Sequence, residues 1–303
     1  MTSPKLAGYG EDRLVRELTS GPGTGPESPA LVVGPGDDCA IVDAGDPAFW
    51  QLLKTDAVVE GIHFAADANP RDVGWKALCR AISDVAAMGG EPCFALVTMA
   101  VSPDQTVEWV RDLYRGIRRA AKKYGVTLAG GETARSPGPA FISVALTGRV
   151  EKNRAILRTG AKEDDILLVT GRLGGSMRGW HLRFMPRVAE ARWLAQHADI
   201  HAMMDLSDGL SADLPRLADA SGLDYVLDLT AIPCNPDMGI TAALNDGEDY
   251  ELLLTVAPAE LPSLLEDWFL AFPKLPLTVI GRMTRQTRKK TGGPEQTGGF
   301  HHF

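Results

Sequence analysis

Carboxylates recur in this chain inside short apolar segments that are bounded by glycine. Such groups repel one another and lose hydration where the backbone is tight and the neighbours are apolar, so they are tolerated mainly when a cation joins them. Hard divalent ions, Mg²⁺ above all, prefer oxygen ligands of this kind. We therefore expect the acidic segments to meet around metal ions. The segments are Gly36–Asp38, Thr55–Asp56, Ser83–Asp84, Gly130–Glu132, Asp205–Gly209 and Gly247–Asp249.

Several of these acids stand in or beside a predicted strand or helix. Asp56 interrupts an otherwise apolar strand-like segment, where an unpaired Asp is disfavoured. Asp205 and Asp208 lie at a predicted junction of strand and helix, and N-capping explains one of them but not both. For Asp84, an ion pair with Arg80 one helical turn earlier is an alternative to a metal-binding role.

The other acids accompany glycine-rich turns. Asp37 and Asp38 follow Gly34-Pro35-Gly36, where turn formation is the simpler explanation. The segment Gly130-Gly131-Glu132 is predicted to be a turn whose N–H groups approach a phosphate while Glu132 holds its metal, and a plain glycine-rich turn is the alternative. Gly247–Glu251 is predicted to be an acidic turn before a strand, with an ordinary charged turn as the alternative.

Common nucleotide and hydrolase signatures are missing from the sequence. There is no G-x-x-x-x-G-K-[ST] loop, no His-Arg-Asp loop, no dinucleotide fingerprint, no G-x-S-x-G elbow and no H-E-x-x-H motif. A site built from carboxylates repels phosphate directly, so it must hold a polyphosphate through bridging cations. Because carboxylates and phosphates are both negatively charged, we expect several Mg²⁺ ions in the site.

Strand-like and helix-like segments alternate irregularly, which predicts a mixed α/β (α+β) fold. We expect two domains, residues 1–150 and 151–303, the first carrying metal and nucleotide motifs and the second completing the site. A parallel crossover arrangement is expected in the second half. The predicted strands are 51–64, 93–101, 140–150, 165–171, 223–229, 249–256 and 277–281, and the predicted helices are 71–88, 104–124, 209–221 and 258–271.

Composition excludes several classes of protein. The net charge of −8, from 31 basic and 39 acidic residues, argues against a general binder of nucleic acids or membrane surfaces. The four cysteines have no C-x-x-C spacing and stand in apolar contexts, which favours core roles over disulfides or zinc. No apolar stretch approaches the ~20 residues of a spanning helix, and Met1–Lys5 does not begin a signal peptide, so the expected location is the cytoplasm.

Taken in order, the motifs resemble those of the thiamine-monophosphate kinases, which share a superfamily with aminoimidazole ribonucleotide synthetase. The resemblance runs nearly from end to end. Within the superfamily, Val59–Phe64 and the closing His-Phe are similar to the kinase branch. The segments that carry the resemblance are Gly36–Ala40, Thr55–Phe64, Lys76–Leu78, Ser83–Gly89, Arg158–Lys162, Asp205–Leu210, Gly247–Leu252 and Gly299–Phe303.

The resemblance implies a phosphotransferase that uses ATP as co-substrate and several Mg²⁺ ions to convert thiamine monophosphate to thiamine diphosphate. It also implies a homodimer formed through an N-terminal sheet. Lys54 would contribute a backbone carbonyl at most, and Asp37 is the less certain member of its pair. The implied metal ligands are Asp38, Thr55, Asp56, Asp84, Glu132, Asp205 and Asp208; the implied ATP contacts are Gly131, Arg158 and Ser207; the implied substrate contacts are His63 and Glu248. His63 as a core histidine at the end of a strand is the alternative.

An acceptor phosphate is already ionised near neutral pH, so no strong base is needed. In-line attack requires positioning and neutralisation of charge. We therefore expect direct transfer without a phosphoenzyme, and neither a covalent nucleophile nor a dedicated base.

Departures from the family pattern concern the acceptor side. Glu132 and Asp246 replace the usual Asp and Gly, and Thr297 stands where an aromatic residue is common. Residues 172–200 are also shorter than the usual segment. Two other functions stay open at this stage: an ATP-using superfamily enzyme with a different acceptor, and a non-catalytic nucleotide-binding protein.

Overall fold

The computed structural model describes residue 6, residues 11–19 and residues 28–285. Thr297 and the closing segment 299–303 lie outside the described residues. Within them, no helix is long and apolar enough to cross a membrane. The four cysteines are free thiols. Cys39 and Cys79 are buried, in agreement with the predicted core roles, whereas Cys93 and Cys234 are only half-buried.

The described residues form seven α-helices and eleven β-strands. The helices are α1 (Glu11–Thr19), α2 (Pro70–Ala87), α3 (Val107–Tyr124), α4 (Val188–His197), α5 (Leu210–Ala220), α6 (Ile240–Asn245) and α7 (Leu261–Ala271). The strands are β1 (Leu31–Val33), β2 (Ala40–Val42), β3 (Phe49–Val59), β4 (Glu91–Val101), β5 (Thr127–Arg135), β6 (Phe141–Glu151), β7 (Ile166–Thr170), β8 (Ile200–Asp205), β9 (Leu223–Leu227), β10 (Leu252–Val256) and β11 (Leu277–Arg285). The mixed α/β architecture agrees with the sequence-based prediction.

The first sheet has the strand order β1-β2-β3-β6-β4-β5. Its neighbours are antiparallel except for β4 and β5, which are parallel. One face packs on α2 and α3. Along β6, Ile142, Val144 and Leu146 face this core, whereas Phe141 and Ala145 alternate with them on the outer face. The sheet therefore has one face covered by helices and an outer face with exposed apolar residues.

The second sheet has the order β8-β10-β7-β11-β9, and all its pairings are antiparallel. The expected parallel crossover is therefore wrong. That expectation rested on the apolar run Ile166–Thr170. Leu167 and Val169 point into one hydrophobic cluster and Leu168 into another on the opposite face. Burial on both faces explains an apolar run without any requirement on strand direction.

Helix α2 packs on the first sheet and also contacts the second sheet. It begins where the Asn69 side chain accepts a hydrogen bond from the Arg71 N–H at 2.9 Å and Pro70 occupies the first turn. At its other end, Ala86 and Ala87 pack with Leu168 of the second sheet. The helix is buried over most of its length, so its polar side chains lie at the junction of the domains.

We expect Gly116→Ala to destabilise the fold by about 3 kcal/mol, because an added Cβ would lie 1.9 Å from the Arg71 carbonyl oxygen on α2. Urea denaturation checks this. The matched control is Gly138→Ala, whose Cβ would meet no atom within 4 Å. An unchanged midpoint in Gly116→Ala would show that α2 and α3 can separate without cost.

Several predicted boundaries were wrong for local reasons. The strand predicted over 51–64 ends at Val59, because Gly61 and His63 close a turn with the backbone of Phe64 and Val59. The predicted turn at Gly130-Gly131-Glu132 lies inside β5, where Gly131 passes so close to Val97 that no side chain fits. Helices α1, α4 and α6 were not predicted.

Candidate active site

Three carboxylates from distant parts of the chain converge between the domains. Asp38 lies in the loop before β2, Asp84 lies on α2, and Asp205 is the last residue of β8. One oxygen of each lies within 4.8 Å of the others, and all three residues are buried. The predicted convergence of these acids is thus present in the fold.

The cost of this arrangement appears in the pKa values of the acids. Burial, together with the neighbouring Asp38, raises the pKa of Asp205 to about 7. Burial raises the pKa of Asp84 well above its usual range, although Lys54 opposes the shift. Burial and Asp38 also raise the pKa of Asp37 to about 6. Ionised carboxylates are therefore unfavourable here without added positive charge.

The donor set fits a hard divalent cation. Asp38 Oδ2 is buried and has no hydrogen-bond partner in the described part of the chain. The three residues offer oxygen atoms alone, as Mg²⁺ prefers. A cation at their centre would relieve the mutual repulsion and use the unpaired oxygen.

Basic side chains border the carboxylates. Lys54 Nζ lies 2.9 Å from Asp84 Oδ1, so the Lys54 ammonium is in the site, beyond the backbone carbonyl expected from the sequence. Arg158 pairs with Asp38. Arg80 Nη2 lies 3.6 Å from Asp56 Oδ1.

The alternative in which Arg80 neutralises Asp84 is therefore not the observed arrangement. Burial raises the pKa of Asp56, but Lys54 and Arg80 more than offset this and hold it below its usual value. Asp56 therefore keeps its charge in spite of its burial.

Asp213 organises the acidic turn Asp205–Gly209, a role that was missed from sequence. Its fully buried Oδ2 accepts the backbone N–H groups of Ser207 and Asp208 at 3.0 and 2.9 Å. Arg216 joins Asp208 to Asp213. The short spacing from the turn to Asp213 in the first turn of α5 is the sequence signal that could have identified this role.

Ser83, also missed, ties α2 to β8. Its hydroxyl donates to Asp205 Oδ2 at 2.5 Å and so fixes the carboxylate. On the loop side, Asp37 accepts the N–H groups of Asp38 and Arg158 at 2.9 and 3.1 Å. Asp37 thereby clamps the loop, which agrees with its lower rank as a metal ligand.

Several of these groups, Asp84 and Asp205 among them, line a cavity of about 790 Å³, which we call the acidic cavity. Ser207 and Asp208 also line it. Tyr250, which was not predicted, lines it as well. Its lining includes Lys54, Asp56, Arg80, Asp84, Arg158, Asp205, Ser207, Asp208 and Tyr250.

His63 and Glu248 meet through Lys76, which is wholly buried on α2 and was not predicted. The Lys76 ammonium donates to the His63 carbonyl oxygen at 2.6 Å and pairs with the Glu248 carboxylate. His63 Nδ1 accepts the Val59 N–H at 3.1 Å, which fixes the ring. The two predicted substrate contacts are therefore neighbours although they are 185 positions apart in the sequence.

The segment Gly247–Tyr250 is held in an uncommon backbone conformation. Glu248 and Tyr250 both have φ of +53°, a region that costs about 1 kcal/mol or more for non-glycine residues. Their N–H groups donate to Ser207 and Leu206 oxygens at 2.7 and 2.8 Å. Strain of this kind, held by the acidic turn, is typical of a functional site.

The fold does not bring Thr55, Gly131 and Glu132 to the acidic cavity within one chain. Thr55 and Asp56 are consecutive on β3, so their side chains point to opposite faces. Glu132 is exposed on β5 in register with Thr98 of the outer face, and its carboxylate accepts the Thr133 N–H. Three strand spacings, about 14 Å, separate β5 from β3.

The fold and the cavity agree with two family models. Residues 36–150 match the N-terminal domain of AIR synthase related proteins, and residues 148–292 match the C-terminal domain. A hydrogenase maturation protein, HypE from Escherichia coli, shares the fold at a TM-score of 0.67 and 19% identity. The chain is an AIR synthase related protein with an acidic site between its two domains.

Proteins of higher sequence identity define a narrower family for this chain. A thiamine-monophosphate kinase of Rhodopirellula baltica is 39% identical over 86% of this chain and 85% of its own, and one of Bacillus subtilis is 33% identical over 89% and 93%. The solved structure described as AaThiL complexed with AMPPCP and TMP superposes with a TM-score of 0.82, at 31% identity and 100% coverage of both chains. The chain belongs to the thiamine-monophosphate kinase family.

Proposed function

We propose that this protein transfers the γ-phosphoryl group of ATP to thiamine monophosphate, giving thiamine diphosphate and ADP. The observation that carries the proposal is the convergence of Asp38, Asp84 and Asp205 in one buried cluster, of which Asp84 and Asp205 line the acidic cavity. Family membership supports the substrate, as does a structural neighbour that binds AMPPCP and TMP.

Asp38, Asp84 and Asp205 would hold Mg²⁺, with Asp56 and Asp208 at the edge of the cluster. When bound, the ions neutralise the charge of the triphosphate and of the transferred group. Arg158 and Ser207 line the same cavity and are the proposed ATP contacts. Lys54 and Ser83 fix the orientation of Asp84 and Asp205, so the ligand oxygens are set before the substrates bind.

The acceptor would lie at the other end of α2, beside His63 and Glu248. Lys76 joins these two residues and so fixes the distance between the acceptor and the carboxylate cluster. The attacking phosphate oxygen is already ionised, so no residue is assigned as a general base. Direct in-line transfer follows, with positioning as the main contribution of the protein.

The experiment that tests this function is incubation of the full chain with Mg²⁺, ATP and thiamine monophosphate, followed by ³¹P NMR. Thiamine diphosphate and ADP in equal amounts are expected. Thiamine in place of its monophosphate should give no product. ADP formed equally with and without the acceptor, or no ADP at all, would reject the proposal.

The dependence of the KM for thiamine monophosphate on pH should report the protonation of Lys76. Burial lowers the pKa of Lys76 to about 8, although Glu248 opposes the shift. Below pH 8 the charged ammonium holds Glu248 and the His63 carbonyl; as the pH rises through 8 it loses its proton and this hold weakens. We expect the KM for thiamine monophosphate to rise between pH 7 and 9.5 while the KM for ATP stays constant. Lys76→Met should have a high KM at all these values, and the same pH-dependent rise in that variant would contradict the assignment.

We propose that the chain acts as a homodimer through the outer face of the first sheet. Leu53, Phe94 and Leu96 are 41%, 55% and 49% exposed there, a patch that is unfavourable in water. Thr55 and Glu132 lie on this same face, so a second copy seated on it is the arrangement in which they and Gly131 would join the metal and nucleotide sites. Cytoplasmic location and the absence of nucleic-acid and membrane partners stay predictions.

Leu96→Glu should convert the dimer to a monomer, because it places a charge at the centre of the apolar patch. Sedimentation velocity measures this. Phe269→Glu on α7 is the matched control, since Phe269 is 67% exposed on the other domain. A Leu96→Glu variant with unchanged mass in solution would exclude this face as the interface.

A further inference from the structure

Helix α2 carries three charged residues at successive turns, and two of them, Arg80 and Asp84, line the acidic cavity. Lys76, Arg80 and Asp84 are spaced by four residues, so each lies about 6 Å further along the helix axis. Lys76 contacts Glu248 at the acceptor end, and Asp84 belongs to the carboxylate cluster. Arg80 therefore lies between the proposed acceptor and the proposed metal ions.

Arg80 is anchored in a way that leaves one donor unused. Its Nη1 donates to the Ala57 carbonyl oxygen at 2.9 Å, and its Nη2 faces Asp56. Its Nε–H is buried and has no hydrogen-bond partner in the described residues. A buried donor without a partner costs about 1–3 kcal/mol, which a ligand in the acidic cavity would offset.

Tyr250 supplies a second unused polar group to the same cavity. Its ring stacks on Phe184 with a centroid distance of 3.7 Å, and its hydroxyl is buried without a partner among the described residues. Burial raises the pKa of the Tyr250 hydroxyl, so it stays a donor at neutral pH. The unused donors of Arg80 and Tyr250 thus border one space, and both suit an anion.

We propose that Arg80 and Tyr250 form the binding site for the phosphate monoester of the acceptor, with both side chains donating hydrogen bonds to its non-attacking oxygens. This inference rests on the proposed function and deepens it. The acceptor phosphate must approach another phosphate among carboxylates, and like charges resist that approach. Direct donors on the acceptor side hold it in place, and they make the site select a phosphorylated acceptor over the free alcohol.

Isothermal titration of the full chain with Mg²⁺ and AMPPCP present tests the proposal, using thiamine monophosphate and thiamine as probes. We expect Arg80→Met to bind the monophosphate about 10- to 100-fold more weakly and Tyr250→Phe about 10-fold more weakly, as for lost hydrogen bonds to a charged group. The affinity for thiamine should stay constant in both variants. In turnover, the KM for thiamine monophosphate should rise with the KM for ATP unchanged.

Arg111→Met, at an exposed site on α3, is the matched control. An equal loss of affinity for thiamine monophosphate, thiamine and AMPPCP in Arg80→Met would show that Arg80 merely anchors Asp56, and would overturn the proposal. Should Arg80→Met fail to fold, Tyr250→Phe still decides, because it keeps the stacked ring. If the wild-type protein forms thiamine diphosphate and both variants keep its preference for the monophosphate, the result rejects this binding site but not the proposed function. A wild-type protein that forms none rejects the proposed function.

Discussion

Replacement of Asp84 by Asn should lower turnover at saturating substrates by about 100-fold or more, because it removes one ligand of a preorganised charged site. The side chain keeps its shape, so the fold should remain. Asp84 has its pKa raised chiefly by burial, and its ionised form is unfavourable in the protein without metal. Stability without metal should therefore be retained while the stabilisation by Mg²⁺ and ATP is lost. Initial rates and thermal melts with and without Mg²⁺-ATP measure both effects.

Asp72→Asn provides the matched control on the same helix. Asp72 forms ion pairs at the surface with Arg119 and Arg183, at 3.5 and 3.9 Å, and contributes no group to the cavity. Its variant should keep near-normal turnover. A folded Asp84→Asn variant with near-normal turnover would remove Asp84 from the site.

Replacement of Arg158 by Met should raise the KM for ATP by about 10- to 100-fold, because charged hydrogen bonds to phosphate are among the stronger ones. In this structure the Arg158 guanidinium pairs with Asp38, at 3.2 Å from Nε to Oδ1. Metal binding would engage the Asp38 carboxylate and free the guanidinium for the triphosphate. The KM for thiamine monophosphate should change little.

Arg282→Met is the control for Arg158, since Arg282 forms an exposed ion pair with Asp164 in the same domain. Substrate-dependent initial rates give both KM values. Equal increases in the KM for both substrates in Arg158→Met would indicate a displaced loop at Asp37–Asp38 and not a lost contact with ATP.

The acids of the site could be predicted from sequence because unpaired carboxylates in apolar, glycine-bounded segments need a physical reason. Asp38, Asp84 and Asp205 were singled out in this way, although alternatives stayed open for Asp38 and Asp84, and the resemblance to the kinase family then assigned all three as metal ligands. The ionic partners could not be, since pairing depends on the tertiary fold. Lys54 lies two positions before Asp56 in the sequence yet pairs with Asp84, 30 positions away in the numbering.

Residues that act through others were harder to identify. Ser83 has ordinary helix-like surroundings in the sequence, and its role appears when β8 meets α2. The role of Asp213 is local, because it holds the N–H groups of the turn that precedes α5. Lys76 lies within the helix predicted over 71–88, and the burial of its charge became evident once the Gly247–Tyr250 segment lay against it. Burial of a charge is a property of the assembled domains and not of a local pattern.

Strand direction and the faces of the first sheet were also beyond local patterns. An apolar run such as Leu167–Val169 indicates burial on both faces of the sheet. It does not indicate whether the neighbouring strands are parallel or antiparallel. Glu132 was assigned to a metal turn because Gly130-Gly131 is glycine-rich, yet Gly131 permits the close passage of β5 along β4. Successive side chains of a strand point to opposite faces of the sheet, so the position of a residue along the strand determines the face on which it lies.

The measurement that tests the account most directly is a crystal structure with AMPPCP and Mn²⁺ in place of Mg²⁺, with the metal located by anomalous scattering. We expect peaks between Asp38, Asp84 and Asp205 that also contact the phosphates of the nucleotide. Nucleotide bound in the acidic cavity with no anomalous peak at these carboxylates, or with manganese at another part of the chain, would contradict it.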